Sequence, residues 1–243
     1  MKLYIDAGNS RLKWSLQKDG EALASGSGVL EEENPMPGLA GFAGDIAGIA
    51  VSTVASEEKR RRLLGYLASL ANVSAKFFWA EAERGGLRNA YTDVDRMGAD
   101  RWHAMYGAWI GHKQGFAVVD AGSAVTVDYV DPTGRHLGGY ILPGLQMMFR
   151  SLKTDAARIG FDPEQVLETA PGKSTGECVN HGVAWLSAAM VARIREDTRR
   201  FGLADTLITG GDADRLIGLG LPGIHRPDLV LAGLRAIDAE DAA

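Results

Sequence analysis

Two spacings of hydrophobic residues alternate along the chain and predict strands and helices in turn. Short apolar runs at 3–5 and 117–119 are typical of buried strands. After Ser56, leucines recur every three or four positions, which predicts an amphipathic helix with that serine as its N-cap. Because strands and helices alternate in both halves, the pattern predicts an α/β fold. The other predicted strands are 12–16, 46–54, 76–79, 125–130 and 206–208, and the other predicted helices lie within 102–109, 145–152, 178–200, 213–219 and 230–239.

One short motif occurs twice. The sequence Asp-Ala-Gly-Asn-Ser at 6–10 returns in the second half of the chain as Asp-Ala-Gly-Ser-Ala at 120–124. Each copy follows one predicted strand and leads into another, and a glycine-containing turn ends each pair of strands. Such a repeat predicts a duplicated unit. We therefore divide the chain into two predicted domains, residues 1–114 and residues 115–243.

The repeated motif has the composition of a phosphate-binding turn. Glycine allows the backbone to turn tightly and to approach a ligand closely. Backbone N–H groups and hydroxyls in such a turn bind phosphate oxygens, and a carboxylate at the strand end binds a hydrated cation. The alternative is a pair of ordinary Asp-Gly hairpin turns. Two copies in register, one in each half, favour phosphate binding.

Composition narrows the possible functions. The chain is 46% hydrophobic and 23% charged, with a formal net charge of −5 and a pI of about 5.6, which gives no support to a nucleic-acid or membrane-surface partner. No apolar run is long enough to span a membrane and no signal-peptide pattern opens the chain, so we expect a cytoplasmic protein. The single cysteine, Cys178, excludes an intramolecular disulfide, and the five histidines lack zinc-site spacing.

Two other glycine-containing motifs are not interpreted as nucleotide sites. The sequence at 218–223 matches G-x-G-x-x-G, but Pro222 lies where the required helix would begin. The sequence Gly-Lys-Ser at 172–174 resembles the end of a P-loop, but Leu167 occupies the position of that motif's first glycine.

Seven motifs together resemble the acetate and sugar kinase/Hsp70/actin superfamily and, within it, type III pantothenate kinases. They extend over almost the whole chain in that family's order. The matching residues are Asp6-x-Gly8-Asn9-Ser10, Asn89-x-Tyr91, Gly98-x-Asp100-Arg101, Asp120-x-Gly122-Ser123-Ala124, Gly138-Gly139 through Pro143-Gly144, Thr175, and Gly210-Gly211-Asp212. Ser10 and Ser123 replace the family's usual threonines and keep the hydroxyl, whereas Val94 and Met97 depart from its loop pattern.

The resemblance implies a fold, a reaction and a set of site residues. The implied fold is two duplicated ribonuclease H-like domains (the actin-like ATPase fold) with ATP in the cleft between them. The implied reaction is ATP-dependent phosphorylation of pantothenate to 4′-phosphopantothenate, the first step of coenzyme A biosynthesis, with Mg²⁺ and a monovalent cation, K⁺ or NH₄⁺. The implied roles are ATP binding by Asp6, Ala7, Gly8, Asn9, Ser10, Arg11, Leu12, Lys13, Ser123, Gly210 and Gly211, pantothenate binding by Tyr91, Gly98, Ala99, Asp100, Arg101 and Thr175, and cation binding by Asp120.

Within this resemblance Asp100 corresponds to the general base. The family is homodimeric with its substrate site close to the dimer interface, so a homodimer is expected here. Considered without the resemblance, Asp100 and Arg101 are more simply interpreted as a helix-start carboxylate and a surface ion pair. Asp93 and Asp95 are nearby carboxylates that we interpret as loop charges.

Two other functions remain open from the sequence. The first is another small-molecule kinase or phosphohydrolase of the same superfamily, which would share the phosphate turns but not the pantothenate motif. The second is a non-catalytic accessory factor for transcription, a role described for some members of the family. The acidic net charge and the lack of a helix-turn-helix signal argue against the second.

Overall fold

The computed structural model describes residues 1–156 and 158–242, and these form two compact units. The first unit contains Met1–Gly111 and the described residues from Asp228 onward, and the second contains His112–Pro227. None of the helices in the described ranges is long and apolar enough to cross a membrane.

The first unit is built on a mixed five-stranded sheet. Strands β1 and β2 are antiparallel and joined by the first repeated turn, β3 continues the antiparallel side, and β4 and β5 extend the sheet in parallel from β1. The strands are β1 Lys2–Ala7, β2 Leu12–Lys18, β3 Glu21–Gly28, β4 Gly48–Thr53 and β5 Ala75–Phe78, with a separate small hairpin of β6 Glu83–Arg84 and β7 Leu87–Arg88. The helices are α1 Glu57–Leu70 and α2 Ala99–Trp109, with 3₁₀ turns at Ala40–Asp45 and Val94–Arg96.

The second unit repeats this sheet. Its strand order, β10-β9-β8-β11-β12, corresponds position by position to β3-β2-β1-β4-β5, and the antiparallel and parallel pairings are the same. The strands are β8 Phe116–Ala121, β9 Ala124–Val130, β10 His136–Pro143, β11 Asp205–Thr209 and β12 Ile224–His225, and the helices are α3 Leu145–Asp155, α4 Thr175–Arg200 and α5 Ala213–Gly218. The predicted duplication is therefore present in the three-dimensional structure.

The two repeated turns differ by one residue. Asp6 pairs with Lys13 across the first turn, whereas Asp120 pairs with Thr126 across the second. The first turn is therefore one residue longer.

The last helix, α6 Leu229–Glu240, packs in the first unit, against α2, β1 and β4. The predicted division between residues 114 and 115 assigns this helix to the second domain, whereas in the structure it belongs to the first compact unit. Helices α2 and α6 approach closely because each has a glycine at the crossing. A Cβ on Gly233 would lie 1.8 Å from the His103 carbonyl oxygen, and a Cβ on Gly107 would lie 2.6 Å from the Leu229 carbonyl oxygen.

Each unit has its own hydrophobic core. Leu3, Ile5 and Val51 of the first sheet pack with Leu63 and Leu67 of α1. In the second unit the core includes Ala117, Val119 and Ile208 of the sheet together with Val191 and Ile194 of α4. The alternating hydrophobic pattern placed most elements correctly. It did not predict β3, β6, β7, β10 or β12, and α4 begins at Thr175 instead of Cys178.

Candidate functional site

The first repeated turn is closed by its own backbone and joined to the end of β4. The Gly8 N–H donates to the Arg11 carbonyl over 3.0 Å, and a Cβ on Gly8 would lie 3.1 Å from that oxygen. The carbonyl of Ala7 accepts from the Thr53 hydroxyl (3.0 Å) and from the Val54 N–H (3.3 Å). The turn therefore has a fixed position on the sheet edge, while Asn9, Ser10 and Arg11 at its tip are exposed.

Lys59 contacts this turn, which the sequence analysis did not predict. Its ammonium group donates to the Asn9 carbonyl and forms an ion pair with Glu31 at 2.8 Å. The hydrogen bond from Lys59 lowers the pKa of the Glu31 carboxyl below its usual range. Lys59 lies in the first turn of α1, where its backbone N–H donates to the side chain of the N-cap Ser56.

Asp100 lies in the first turn of α2, where the helix dipole favours a carboxylate. Its Oδ1 accepts from the Arg101 N–H over 2.7 Å. Gly98 leaves room for this carboxylate, because a Cβ on Gly98 would lie 2.6 Å from Asp100 Oδ1 and 3.2 Å from Val54 Cγ1. The predicted Gly98-Ala99-Asp100-Arg101 motif is therefore a helix start shaped around the carboxylate.

Arg101 is buried, with 5% of its surface exposed, and contacts Tyr91. Its Nη1 donates to the Tyr91 hydroxyl over 2.7 Å, and its guanidinium carbon lies 5.5 Å from the centroid of the same ring. The structure thus brings together two predicted substrate residues that belong to different segments.

Asn89 fixes the loop that carries Tyr91. Its backbone N–H donates to the Ala82 carbonyl (2.9 Å), its side-chain amide donates to the Glu81 carbonyl (3.1 Å), and its Oδ1 accepts from the Tyr91 N–H (2.9 Å). The sequence motif included Asn89 without a role. In the structure it connects the loop to the chain before β6.

Backbone hydrogen bonds from two glycines, one within the turn and one after β10, hold the second repeated turn. The Gly122 N–H donates to the Ala124 carbonyl (3.1 Å) and the Gly144 N–H donates to the Ser123 carbonyl (3.2 Å). Gly210 has a φ of +93°, and a Cβ there would lie 2.4 Å from the Ala121 carbonyl oxygen and 2.5 Å from Asp120 Oδ1. Gly210 and Asp120, predicted to bind ATP and a cation respectively, are therefore direct neighbours.

The residue after the two glycines extends this cluster. The Asp212 N–H donates to the Ala121 carbonyl over 2.9 Å. Burial raises the pKa of the Asp212 carboxyl, and the positive charge of Arg215 acts in the opposite direction. The buried Arg215 guanidinium in turn donates to the Val166 carbonyl over 2.6 Å.

Thr175 is the first residue of α4, next to the N-cap Ser174, which accepts from the Glu177 N–H over 3.2 Å. Thr175 is exposed and lines an open cavity of about 880 Å³ together with Cys178 and Trp185. Cys178 is also exposed and its thiol donates to the Gly172 carbonyl over 3.4 Å. Among residues 1–156 and 158–242, no cluster of three or more His, Cys, Asp or Glu side chains could hold a metal ion.

Comparison with known proteins identifies the family. A sequence model of type III pantothenate kinases matches residues 2–197. A type III pantothenate kinase of Marinobacter nauticus is 58% identical over 237 residues, 98% of each chain. The chain belongs to the type III pantothenate kinase family. A second family member, from Cellvibrio japonicus, is 38% identical over 96% of this chain and 95% of its own.

A solved structure agrees with the fold of this family member. The Sinorhizobium meliloti protein described as a 2-dehydro-3-deoxygalactonokinase superposes with a TM-score of 0.60 at 14% identity, covering 99% of both chains. With the two sheets of identical strand order, this likeness confirms the predicted sugar kinase and actin-like fold. Family membership confirms the predicted enzyme class and reaction, pantothenate phosphorylation in coenzyme A biosynthesis. The use of ATP follows from the same membership.

Proposed function

We propose that Asp100 is the general base that activates pantothenate for phosphorylation by ATP. The Asp100 carboxylate would accept the proton of pantothenate's primary hydroxyl while the hydroxyl oxygen bonds to the γ-phosphorus. The bond from that phosphorus to the β–γ bridging oxygen breaks, and ADP leaves. The observation that carries the proposal is the start of α2, where Gly98 leaves room for the Asp100 carboxylate and the Arg101–Tyr91 contact follows directly.

The ATP phosphates are assigned to the repeated turns. In the first unit we assign residues 6–13, because Gly8 closes a turn of fixed position and Lys59 adds a positive charge at its Asn9 carbonyl. In the second unit we assign Ser123, Gly210 and Gly211, because Gly210 brings its backbone against the strand end that leads into Ser123. Backbone N–H groups in such turns are suited to phosphate oxygens.

Tyr91, Gly98, Ala99, Arg101 and Thr175 are assigned to pantothenate. A guanidinium is a permanent cation with five donors in a planar fork, which suits the carboxylate of pantothenate. The hydrogen bond to Tyr91 uses one of these donors and fixes the direction of the fork. Thr175 presents a hydroxyl at the exposed start of α4, where it could bind a polar group of the substrate.

The residues present fit the two cations that this reaction requires. Magnesium keeps several waters and is usually bound through one or two carboxylates and the phosphates themselves, so it needs no protein cluster. Asp120 would hold the monovalent cation, because its carboxylate lies near the end of β8 at the second repeated turn, where the Gly210 backbone packs close to its Oδ1. When bound, Mg²⁺ neutralises charge on the phosphates.

A homodimer is the proposed assembly. Trp185 and Leu186 lie side by side on α4 with 59% and 53% of their surfaces exposed, and they line the same cavity as Thr175. Contiguous exposed apolar surface of this kind marks protein interfaces. A second copy on this face would cover both side chains and enclose Thr175. We propose that the enzyme works in the cytoplasm, where ATP is available.

The proposed function is tested by supplying ATP, Mg²⁺ and K⁺ with one hydroxyl acceptor at a time. Mass spectrometry then measures the phosphorylated product for pantothenate, pantetheine, and sugars that other kinases of this fold accept. We expect 4′-phosphopantothenate as the main product. Phosphorylation of a sugar in preference to pantothenate would support another kinase of the superfamily, and no transfer to any acceptor would support the transcription-factor alternative.

A further inference from the structure

His103 lies on the same helix as Asp100, one turn further along. It is completely buried, and its Nδ1 lies 2.7 Å from the hydroxyl oxygen of Ser52, which is also completely buried. This contact joins α2 to the end of β4 by a side-chain hydrogen bond. Neither residue carries a role in the mechanism described above.

Ser52 begins a three-residue segment at the end of β4 that also holds the first phosphate turn. Ser52 is in register with Asp6 of β1. The next residue, Thr53, donates its hydroxyl hydrogen to the Ala7 carbonyl, and Val54 donates its N–H to the same oxygen. Ser52 therefore contacts α2, the helix that carries Asp100, and the next two residues contact the first phosphate turn.

The same segment also touches the start of α2. Val54 Cγ1 lies 3.2 Å from the position that a Cβ on Gly98 would occupy, two residues before Asp100. Residues 52–54 therefore contact both the first phosphate turn and the start of α2. A side-chain hydrogen bond, between Ser52 and His103, joins this segment to α2.

Stability alone does not explain a histidine at this position. Its second ring nitrogen, Nε2, is buried and has no hydrogen-bond partner in the described part of the chain. An unpaired buried polar atom is unfavourable, so an apolar residue of similar size would avoid that cost. Burial lowers the pKa of His103 to about 3, with a smaller contribution from the charge of Arg84. The ring is therefore neutral near pH 7 and serves as a hydrogen-bonding group of fixed direction.

We propose that His103 and Ser52 form a positioning pair that holds the Asp100 carboxylate at the correct distance from the phosphate turn. The proposal rests on the proposed function of Asp100 as the base. The pair acts through the backbone of α2 and β4 and touches no substrate. Its loss would leave both binding sites intact and misplace the base relative to the reacting phosphate.

Three variants test the pair. Ser52→Ala and His103→Leu each remove the hydrogen bond, and His103→Asn keeps a side-chain amide near the position of Nδ1. We expect kcat to fall about tenfold or more in the first two variants, because small misplacement of a reacting group is costly. We expect KM for ATP to stay within about twofold, since the phosphate turn keeps its own contacts. His103→Asn should recover most of kcat, and Ser52→Ala combined with His103→Leu should lose no more than either alone.

A matched control separates positioning from packing. Tyr4→Phe removes another buried hydrogen bond between a helix and the same sheet, the one from the Tyr4 hydroxyl to Asp238 of α6. It should leave kcat unchanged. The positioning role is overturned if Ser52→Ala keeps full kcat, if Tyr4→Phe loses as much, or if KM for ATP rises in step with the loss of kcat.

The outcome also distinguishes this pair from the proposed function itself. Wild-type turnover of pantothenate is measured first, and its absence overturns the proposed function together with the pair. If wild type phosphorylates pantothenate and Ser52→Ala keeps the same kcat, the positioning role of the pair is overturned and the proposed function stands. Should His103→Leu fail to fold, Ser52→Ala carries the test, because it deletes a single oxygen atom.

Discussion

Arg101 and Tyr91 contact each other in two ways. Arg101 Nη1 donates to the Tyr91 hydroxyl over 2.7 Å, and the guanidinium carbon lies 5.5 Å from the centroid of the Tyr91 ring in a cation–π contact. One residue comes from the start of α2 and the other from the loop before it. In the proposed assignment, a cation fixed in this way would be pre-ordered for the carboxylate of pantothenate, which would lower the entropic cost of binding.

Arg101→Lys should therefore weaken pantothenate binding. A lysine keeps the charge but has neither the planar fork nor the stacking surface, so KM for pantothenate should rise about tenfold or more. KM for ATP should not change. The matched control is Arg96→Lys, because the Arg96 side chain is 81% exposed and pairs with Asp93. Equal KM values for pantothenate in the two variants would contradict the assignment.

Gly210→Ala should disrupt the second phosphate turn. Its φ of +93° strains any other residue, and the new Cβ would collide with the Ala121 carbonyl. We expect a loss of stability above about 2 kcal/mol and loss of ATP binding. Gly220→Ala is the matched control, because Gly220 also has a positive φ, of +94°, but lies outside the assigned ATP residues and has nothing within 4 Å of a Cβ. Urea unfolding and calorimetric ATP titration compare the two variants, and similar behaviour of both would contradict the prediction.

Features of the site that depend on residues close together in the sequence could be predicted, whereas contacts between distant segments could not. The repeated Asp-x-Gly motif and the two spacings of apolar residues act locally, so the duplicated α/β fold followed from the sequence. The neighbouring positions of Gly210 and Asp120 depend on β11 pairing with β8, which no local pattern records. The family motif supplied both residues, and the fold explains why they occur together.

Other features depended on contacts with no sequence signal. Nothing within residues 229–240 indicates that α6 packs in the first unit, because the glycines at its crossing with α2 have meaning only once the two helices meet. The Lys59 contact and the Ser52–His103 pair join residues about 50 positions apart. Each residue taken singly had an unremarkable interpretation, as a surface charge or as core.

Stability should decrease in mild acid because of His103. Burial lowers its pKa from 6.5 to about 3, so the unfolded chain takes up a proton at a higher pH than the folded chain. The stability that this neutral histidine supports is present above pH 6.5 and is lost as the pH falls. By pH 5 the loss should reach about 2 kcal/mol.

The comparison between wild type and His103→Leu isolates this effect. Urea unfolding at pH 7 and pH 5 gives the change in the free energy of unfolding for each protein. Wild type should lose more stability than the variant over this interval. Parallel losses would show that His103 titrates normally or that other groups dominate.

The reaction rate should depend on the monovalent cation, because we assign that cation to Asp120, which lies near the end of β8 at the second repeated turn. Buffers that contain only K⁺, NH₄⁺ or Na⁺ at equal ionic strength test this. We expect turnover in K⁺ and NH₄⁺ and a large decrease in Na⁺, with the difference abolished in Asp120→Asn. Equal rates in the three buffers would contradict a cation site at Asp120.

The most direct test of the account compares Asp100→Asn with Asp95→Asn. Phosphopantothenate formation and ATP affinity are measured for both variants under the same conditions. Asp100→Asn should lose about 100-fold or more in turnover, because general-base catalysis contributes on that scale, and it should bind ATP as wild type does. Asp95 lies in the loop before α2 and its replacement should have little effect. Near-normal turnover in Asp100→Asn would contradict the assignment of Asp100 as the base.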